Sequence, residues 1–212
     1  MARKKSSKKS NSDAVRSAAG ESLFRIPARD PESGLLHVIV DTPAGSPIKF
    51  KYDIENRCYK ASYLFAPGTV FPFDFGSVPS TLAEDGDPLD ALVLMEKPSF
   101  TGCLVPVRLL GVLEAEQTQE GKTFRNDRLI GAAEVSREYD GLSTLKDVPT
   151  RLLKDLESFF VFYNATRGRI FKVLGRFGPD RARRLVSAGE RRFRRAVRRR
   201  RSQGTRPGRD RG

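Results

Sequence analysis

Short apolar or alternating runs fill the stretch from Leu35 to Glu134, and Gly, Pro and Asp break them repeatedly. This pattern is typical of β-strands joined by turns. The predicted strands cover residues 35–41, 48–53, 58–63, 90–94, 104–115 and 123–135. In 48–53 apolar residues alternate with Lys49 and Lys51, so we expect both lysines on one polar face. Within 104–115, Gly111 is expected to mark a bulge.

Helical spacing of apolar residues appears only later in the chain. It predicts a helix from near Pro149 to near Arg167-Gly168, because proline suits a first turn and glycine a helix end. A second helix is predicted from Gly178-Pro179-Asp180, with its first half docked on the strands. Many strands with few helices predict a mainly β, α+β fold: a small closed β-barrel (OB-like) followed by a few C-terminal helices.

The formal charge of +13 lies at the two ends of the 212-residue chain. Residues 1–21 carry +4 and residues 181–212 carry +12, whereas residues 22–180 carry −3. The length suits one domain with extensions. We therefore expect a disordered basic tail at 1–21, a domain at 22–180 and an Arg-rich helix with a disordered tail at 181–212. Too little apolar surface follows Arg198 to offset the entropy of ordering.

The cysteines, the single histidine and the absence of long apolar runs argue against a disulfide-rich, zinc-binding or membrane protein. Cys58 and Cys103 stand far apart without a Cys-x-x-Cys pattern, so neither a disulfide framework nor a zinc site is indicated. His37 has no nearby metal-ligand partner, which favours a structural role. Because no apolar run reaches the length of a signal peptide core or a membrane span, we expect a soluble, cytoplasmic protein that does not enter membranes.

A dense acidic loop follows the middle strands. Asp85, Asp87 and Asp90 fall within six residues around Gly86 and Pro88. Carboxylates at such density suit Mg²⁺, which shares its shell with phosphates. Taken alone, the loop is equally compatible with an ordinary surface turn. A calcium-binding EF-hand is excluded, because an aspartate occupies the position where that loop requires glycine.

The loop and the strand after it resemble a known family. Asp85-Gly86-Asp87-Pro88-Leu89-Asp90 followed by Ala91-Leu92-Val93-Leu94 is similar to the signature of the family I soluble inorganic pyrophosphatases. Further similar segments lie at 47–50, 71–76, 111–113, 146–149 and 159–163. The resemblance therefore covers roughly residues 35–175 in a consistent order.

This resemblance implies Mg²⁺-dependent hydrolysis of inorganic pyrophosphate to two phosphates. It implies that Asp85 and Asp90 ligate the metals together with Asp87, and that Asp87 accepts a proton from the attacking water. It also implies that Lys49 and Tyr163 hold phosphate oxygens. Relatives of this fold form oligomers, so a homo-oligomer is a further expectation.

The sequence departs from the family at functional positions. Lys51 stands in place of a glutamate, and Arg128 in place of a lysine. The other departures are Tyr63 for an arginine, Phe75 for a tyrosine, Gln117 and Asn126 for aspartates, and Asn164 for a lysine. A slip in register would let Glu116 or Asp127 supply a carboxylate instead.

Two hypotheses follow from these departures. One is a divergent working enzyme; the other is a catalytically impaired protein of the same fold whose Arg-rich tail binds RNA or other polyanions. Residues 191–201 could neutralise phosphates and release counterions. The same residues could equally form a solvated tail without a dedicated partner.

Overall fold

The computed structural model describes residues 26–203, with side chains to residue 199. The described residues form nine strands and two helices. The strands are β1 (Leu36–Thr42), β2 (Ile48–Asp53), β3 (Cys58–Leu64), β4 (Asp74–Val78), β5 (Leu89–Leu94), β6 (Leu104–Gln119), β7 (Lys122–Arg125), β8 (Arg128–Ala133) and β9 (Ile170–Phe177). The helices are α1 (Thr150–Ala165) and α2 (Pro179–Gln203).

The pairings of five strands run round a ring. β1 pairs with β4, β4 with β5, β5 with β8 and β8 with β6, and β6 pairs back with β1. Only β5 and β8 among these are parallel. The outer half of β6 carries β7 and β9, while β2 and β3 form a separate hairpin. The mainly β, α+β fold with a ring-like sheet and two C-terminal helices is thus confirmed, and the closed OB-like barrel stays a prediction.

Each helix covers one apolar cluster. The first cluster joins Phe160 of α1 to the aromatic side chains that precede and enter β4, including Phe71 and Phe75. The second joins the first half of α2 to the opposite side of the strands through Ala182 and Val186. Alternate residues of β5 belong to different clusters, which explains why this strand is a continuous apolar run.

The structure corrects the predicted elements at several points. The predicted strand 123–135 is two strands, because the chain turns at residues 126–127 between β7 and β8. Strand β4 was not predicted, since Pro72 and Gly76 gave its surroundings the pattern of a turn. Helix α2 continues to Gln203 instead of ending near Arg198, in keeping with the good helix propensity of arginine. The bulge at Gly111 is confirmed by a shift in register between β6 and β8.

Several expectations concern parts of the chain outside the described residues. The tail at 1–21 and the last residues of the 181–212 segment lie there, and the domain bounds stay predictions, as does a homo-oligomer. Within residues 26–203, neither helix is long and apolar enough to cross a membrane.

Candidate active site

The acidic loop lies on one wall of an open cleft of about 680 Å³. The loop leads into β5, on which Asp90 lies. The Ala83 amide donates to the Asp87 carbonyl (2.7 Å) and the Asp87 amide donates to the side-chain Oδ1 of Asp85 (3.1 Å), and these two bonds fix the turn. Asp85, Asp87 and Asp90 all line the cleft, and Lys49 and Tyr163 line it too. All the site residues predicted from the sequence therefore meet in one place.

Two of the three carboxylates are bound by basic side chains. Lys51 Nζ lies 2.8 Å from Asp87 Oδ2, and Arg128 Nη1 lies 2.6 Å from Asp90 Oδ2. Partial burial alone would lower the pKa of Lys51, but the charge and hydrogen bond of Asp87, together with the charges of Asp90 and Asp85, outweigh it and raise that pKa. Lys51 and Arg128 thus bring fixed positive charge to the acidic loop.

The third carboxylate, Asp85, lies where its ionised form is disfavoured. Burial raises its pKa to about 6, and the charges of Asp87 and Asp90 add to the effect. A carboxyl group with such neighbours gains from a nearby cation. The local negative potential is therefore not removed by Lys51 and Arg128.

Sequence reasoning missed a further aspartate in the cleft, Asp41. Asp41 lies on β1 and accepts a hydrogen bond of 2.6 Å from the Ser77 hydroxyl on β4. Burial raises the pKa of Asp41 to about 7, against the effect of the Ser77 hydrogen bond. Asp41 stands alone in the sequence among apolar residues, so only its polar character within a buried strand could have drawn attention to it.

Opposite the acidic loop, Lys49 stands over aromatic rings. Its Nζ lies 4.8 Å from the centroid of the Phe75 ring and 5.4 Å from that of Tyr163. Attraction to ring faces holds the ammonium without neutralising its charge. Lys49 is consequently positioned to meet an anion, with its ammonium held over the Phe75 ring.

Two arginines also face this cleft, Arg167 and Arg169. They lie between the end of α1 and the start of β9. Arg167 Nη1 donates a hydrogen bond to the Tyr163 hydroxyl. Neither arginine belongs to a motif that the sequence suggested.

The remaining departures form polar contacts among themselves or with the backbone. Asn126 Nδ2 donates to Gln117 Oε1 at 2.8 Å, and Asn126 Oδ1 accepts from Arg128 at 2.5 Å. Asn164 is buried and donates to the Phe160 carbonyl. Tyr63 packs its ring against Tyr163, with 6.0 Å between the ring centroids. The amides of Gln117 and Asn126 thus form a hydrogen-bonded chain that ends at the Arg128 guanidinium.

The structure does not favour the alternative register. Asp127 Oδ1 accepts hydrogen bonds from the Ala115 amide (3.0 Å) and from Arg125 (2.7 Å), and it lines a smaller cavity behind the acidic loop. Glu116 does not line the main cleft. Neither carboxylate therefore lines the main cleft.

The histidine and the cysteines lie apart from the cleft. His37 is buried and its Nδ1 lies 2.8 Å from the Pro27 carbonyl oxygen, consistent with the expected structural role. Cys58 and Cys103 are free thiols.

The carboxylate oxygens of the cleft suit Mg²⁺, but only a small number of ions. The carboxylates around the loop are hard oxygen donors, and the pKa of Asp85 is raised mainly by burial and further by the charges of Asp87 and Asp90. Within residues 26–203, however, no three acidic, His or Cys side chains are gathered into a ready metal cluster. Because Lys51 and Arg128 already hold two of the carboxylates, this cleft suits fewer cations than an all-carboxylate site would.

Comparisons with known proteins agree with this geometry. Residues 38–194 match the family model described as inorganic pyrophosphatase. The chain is 31% identical over 153 residues to the inorganic pyrophosphatase of Synechocystis, covering 72% of this chain and 88% of that protein. It is 35% identical over 145 residues to that of Methanosarcina acetivorans, covering 68% and 84%.

Solved structures lead to the same family. The crystal structure of the inorganic pyrophosphatase from Thermus thermophilus superposes with a TM-score of 0.74 at 32% identity, covering 82% of this chain and 99% of that one. The shared sequence and the shared ring-like fold extend over most of the described residues. This chain belongs to the family I soluble inorganic pyrophosphatases, as a divergent member at about 30% identity.

Proposed function

We propose that this chain hydrolyses inorganic pyrophosphate to two phosphates in a Mg²⁺-dependent reaction. The observation that carries the proposal is the meeting of Asp85, Asp87 and Asp90 with Lys49 and Tyr163 around one cleft. Carboxylates on one side and cationic or hydroxyl donors on the other suit an anion that arrives with a metal.

Asp85 and Asp90 would hold the metal, with Asp87 beside them. Bound Mg²⁺ supplies charge to phosphate oxygens and favours ionisation of a coordinated water. Asp90 would keep one oxygen for this purpose, since only its Oδ2 is the partner of Arg128. In the same way Asp87 Oδ1 remains available while Oδ2 accepts from Lys51.

The chain's own side chains would then position the substrate and move one proton. Asp87 would accept the proton of the attacking water. Lys49 would bind phosphate oxygens as a point charge, and Tyr163 as a hydroxyl donor. The two phosphates that result need neutralisation of charge more than covalent help.

The test is a phosphate-release assay with Mg²⁺ and pyrophosphate, comparing wild type with Asp87→Asn. Loss of a proton acceptor at the reacting water is expected to lower kcat by about 10²–10⁴-fold. Asp155→Asn, at an exposed position of α1, is the matched control and should keep wild-type activity. Equal rates for wild type and Asp87→Asn would remove the assigned role of Asp87.

A second candidate function is RNA binding along α2. Its exposed residues Arg184, Arg191, Arg195 and Arg198 recur at helical spacing and so share one face. None of the four forms an ion pair with another residue whose side chain the structure describes. Such a stripe, about 21 Å long from the rise per residue, could lie along a phosphate backbone.

Retention on immobilised single-stranded RNA at increasing salt tests this second function. Replacing the four arginines with glutamine should weaken retention and flatten the salt dependence, by a slope of about 0.7 for each phosphate that is no longer neutralised. Glutamine at exposed positions such as Arg151 and Arg137 serves as the control for charge outside α2. Retention unchanged by the α2 substitutions would exclude the stripe as the RNA-binding surface.

A further inference from the structure

The chain reverses direction at the end of α1 and places two basic side chains in the cleft. The amides of Arg167 and Arg169 both donate to the Asn164 carbonyl, each at 3.0 Å, and Gly168 between them has φ +66°. That backbone conformation is easy for glycine and costly for other residues. It lets Arg167 and Arg169 face the same cleft although they are only two positions apart.

The charges of these two arginines are not neutralised by the protein. Neither forms an ion pair with a carboxylate of the described residues, whereas Lys51 and Arg128 in the same cleft each do. Burial, together with the like charge of Arg167, lowers the pKa of Arg169. Two neighbouring cations without a protein anion form a site for an anion from solution.

Aromatic side chains hold Arg167 in place. Its guanidinium carbon lies 5.0 Å from the centroid of the Tyr63 ring and 5.3 Å from that of Tyr163. One nitrogen donates to the Tyr163 hydroxyl, so the proton of that hydroxyl is free to be donated elsewhere. The planar guanidinium group of Arg167 is therefore already oriented before a ligand binds.

We propose that Arg167, with Arg169 beside it, is the clamp that binds one phosphoryl group of a diphosphate in this cleft. Arg167 donates two parallel hydrogen bonds to oxygens of that group, and Arg169 adds the second positive charge. The acidic loop, with its metal, takes the other phosphoryl group. This assignment rests on the proposed function and adds to it the residues that select a doubly charged phosphoryl end.

Binding of methylenediphosphonate, which is not hydrolysed, tests the clamp independently of turnover. Calorimetry on the full chain with Mg²⁺ would compare wild type, Arg167→Ala, Arg167→Met, Arg167→Lys and Arg169→Ala. Arg151→Ala, an exposed arginine in the first turn of α1, is the matched control and should bind as wild type does.

Loss of charge-assisted hydrogen bonds is expected to raise the Kd of Arg167→Ala and Arg167→Met by about ten- to a hundredfold. The Kd of Arg167→Lys should lie between those of these two variants and that of wild type, because lysine keeps the positive charge but lacks the planar guanidinium that can donate two parallel hydrogen bonds. Arg169→Ala should show a smaller rise. Thermal unfolding midpoints that match the control's would show that the loss is not one of folding.

Three results would overturn the clamp. The first is Arg167→Ala and Arg167→Met both binding within about twofold of wild type, well under the expected loss. The second is Arg167→Met binding like wild type, since methionine keeps the packing on Tyr63 but not the charge. The third is a wild-type chain that does not bind the diphosphonate. If wild type binds with the expected pattern but releases no phosphate from pyrophosphate, the clamp stands and the proposed hydrolysis fails.

Discussion

At the residue scale, six carboxylates and six basic side chains line the cleft. Asp87 and Asp90 are paired with Lys51 and Arg128, whereas Asp41 and Asp85 have raised pKa values of about 7 and about 6. Lys51 and Arg128 neutralise part of the negative charge of the acidic loop that a bound metal ion would otherwise neutralise. Charge at single positions therefore sets how strongly this cleft attracts Mg²⁺.

Lys51→Met should increase the affinity of the cleft for Mg²⁺. The ion pair that it removes is about half exposed on both sides, so its electrostatic effect is about 0.2–1 kcal/mol, a factor of up to about five in Kd. Calorimetric titration with Mg²⁺ in low salt measures it. Lys60→Met removes the pair with Asp53 on the same hairpin; Lys60 is paired with Lys51 across the strands but does not line the cleft, so this change should leave the affinity unchanged. Weaker Mg²⁺ binding by Lys51→Met would contradict the role given to Lys51.

Asp41→Asn should stabilise the fold at pH 8 but not at pH 4. Because the folded-state pKa of Asp41 is raised from 3.8 to about 7, the folded state retains a proton that the unfolded state loses. The stability associated with this carboxyl group is present below pH 4 and is lost as the pH rises to about 7. Asparagine has no charge to bury, so we expect a gain of about 1–3 kcal/mol at pH 8.

Urea unfolding of wild type and Asp41→Asn at both pH values, with chelator present, checks this prediction. Asp155→Asn, an exposed carboxyl on α1, is the control and should show no pH-dependent difference. An equal effect of Asp41→Asn at pH 4 and pH 8 would mean that ionisation of Asp41 is not the cause.

The residues that sequence reasoning found and missed differ in a physical way. Asp85, Asp87 and Asp90 are adjacent in the chain, so their shared site is visible from local spacing. Asp41 and Arg167 reach the same cleft only through strand pairing and through the turn after α1. Contacts between distant segments leave no trace in periodicity, so a single sequence does not reveal them.

At the scale of elements, α2 supports the acidic loop from behind. Leu82 N donates to the Gly189 carbonyl at 3.1 Å, and Arg192 Nη1 donates to the Leu82 carbonyl at 2.9 Å. A Cβ on Gly189 would lie 2.9 Å from Leu89 Cδ1 and 3.2 Å from Thr81 Cβ. The helix thus approaches the loop closely only because residue 189 lacks a side chain.

Gly189→Val should push α2 away from the loop and destabilise the fold by about 1–3 kcal/mol. The same change should lower Mg²⁺ affinity, because the loop loses its support. Arg191→Val puts the same β-branched residue at an exposed position of α2 and controls for helix propensity. Chemical denaturation and Mg²⁺ titration of both variants measure the effects. Equal stability of the two variants would show that close packing at Gly189 is unimportant.

Elements were predictable where one periodicity ran without interruption. β2 and α1 were found close to their observed bounds, since their apolar spacing is unambiguous. β4 was missed because its short segment contains Gly76 and follows a proline, and its strand form depends on pairing with β1 and β5. The division between β7 and β8 likewise depends on where β6 offers partners.

At the scale of the whole molecule, the ring of strands brings the acidic loop, the β2–β3 hairpin and the end of α1 to one cleft. The fold class was predictable from the number of strands that the sequence pattern indicates. The order in which those strands pair round the ring was not. The separation of charge also belongs to this scale: a near-neutral domain is followed by a helix with an exposed basic face. Hydrolysis and any binding of RNA should therefore be separable by substitutions on α2.

The most direct measurement is ³¹P NMR of pyrophosphate incubated with the wild-type chain and Mg²⁺. The proposed function predicts that the pyrophosphate signal is replaced by that of orthophosphate, and that chelation of Mg²⁺ stops the conversion. A pyrophosphate signal that decays no faster than in a protein-free sample would contradict it.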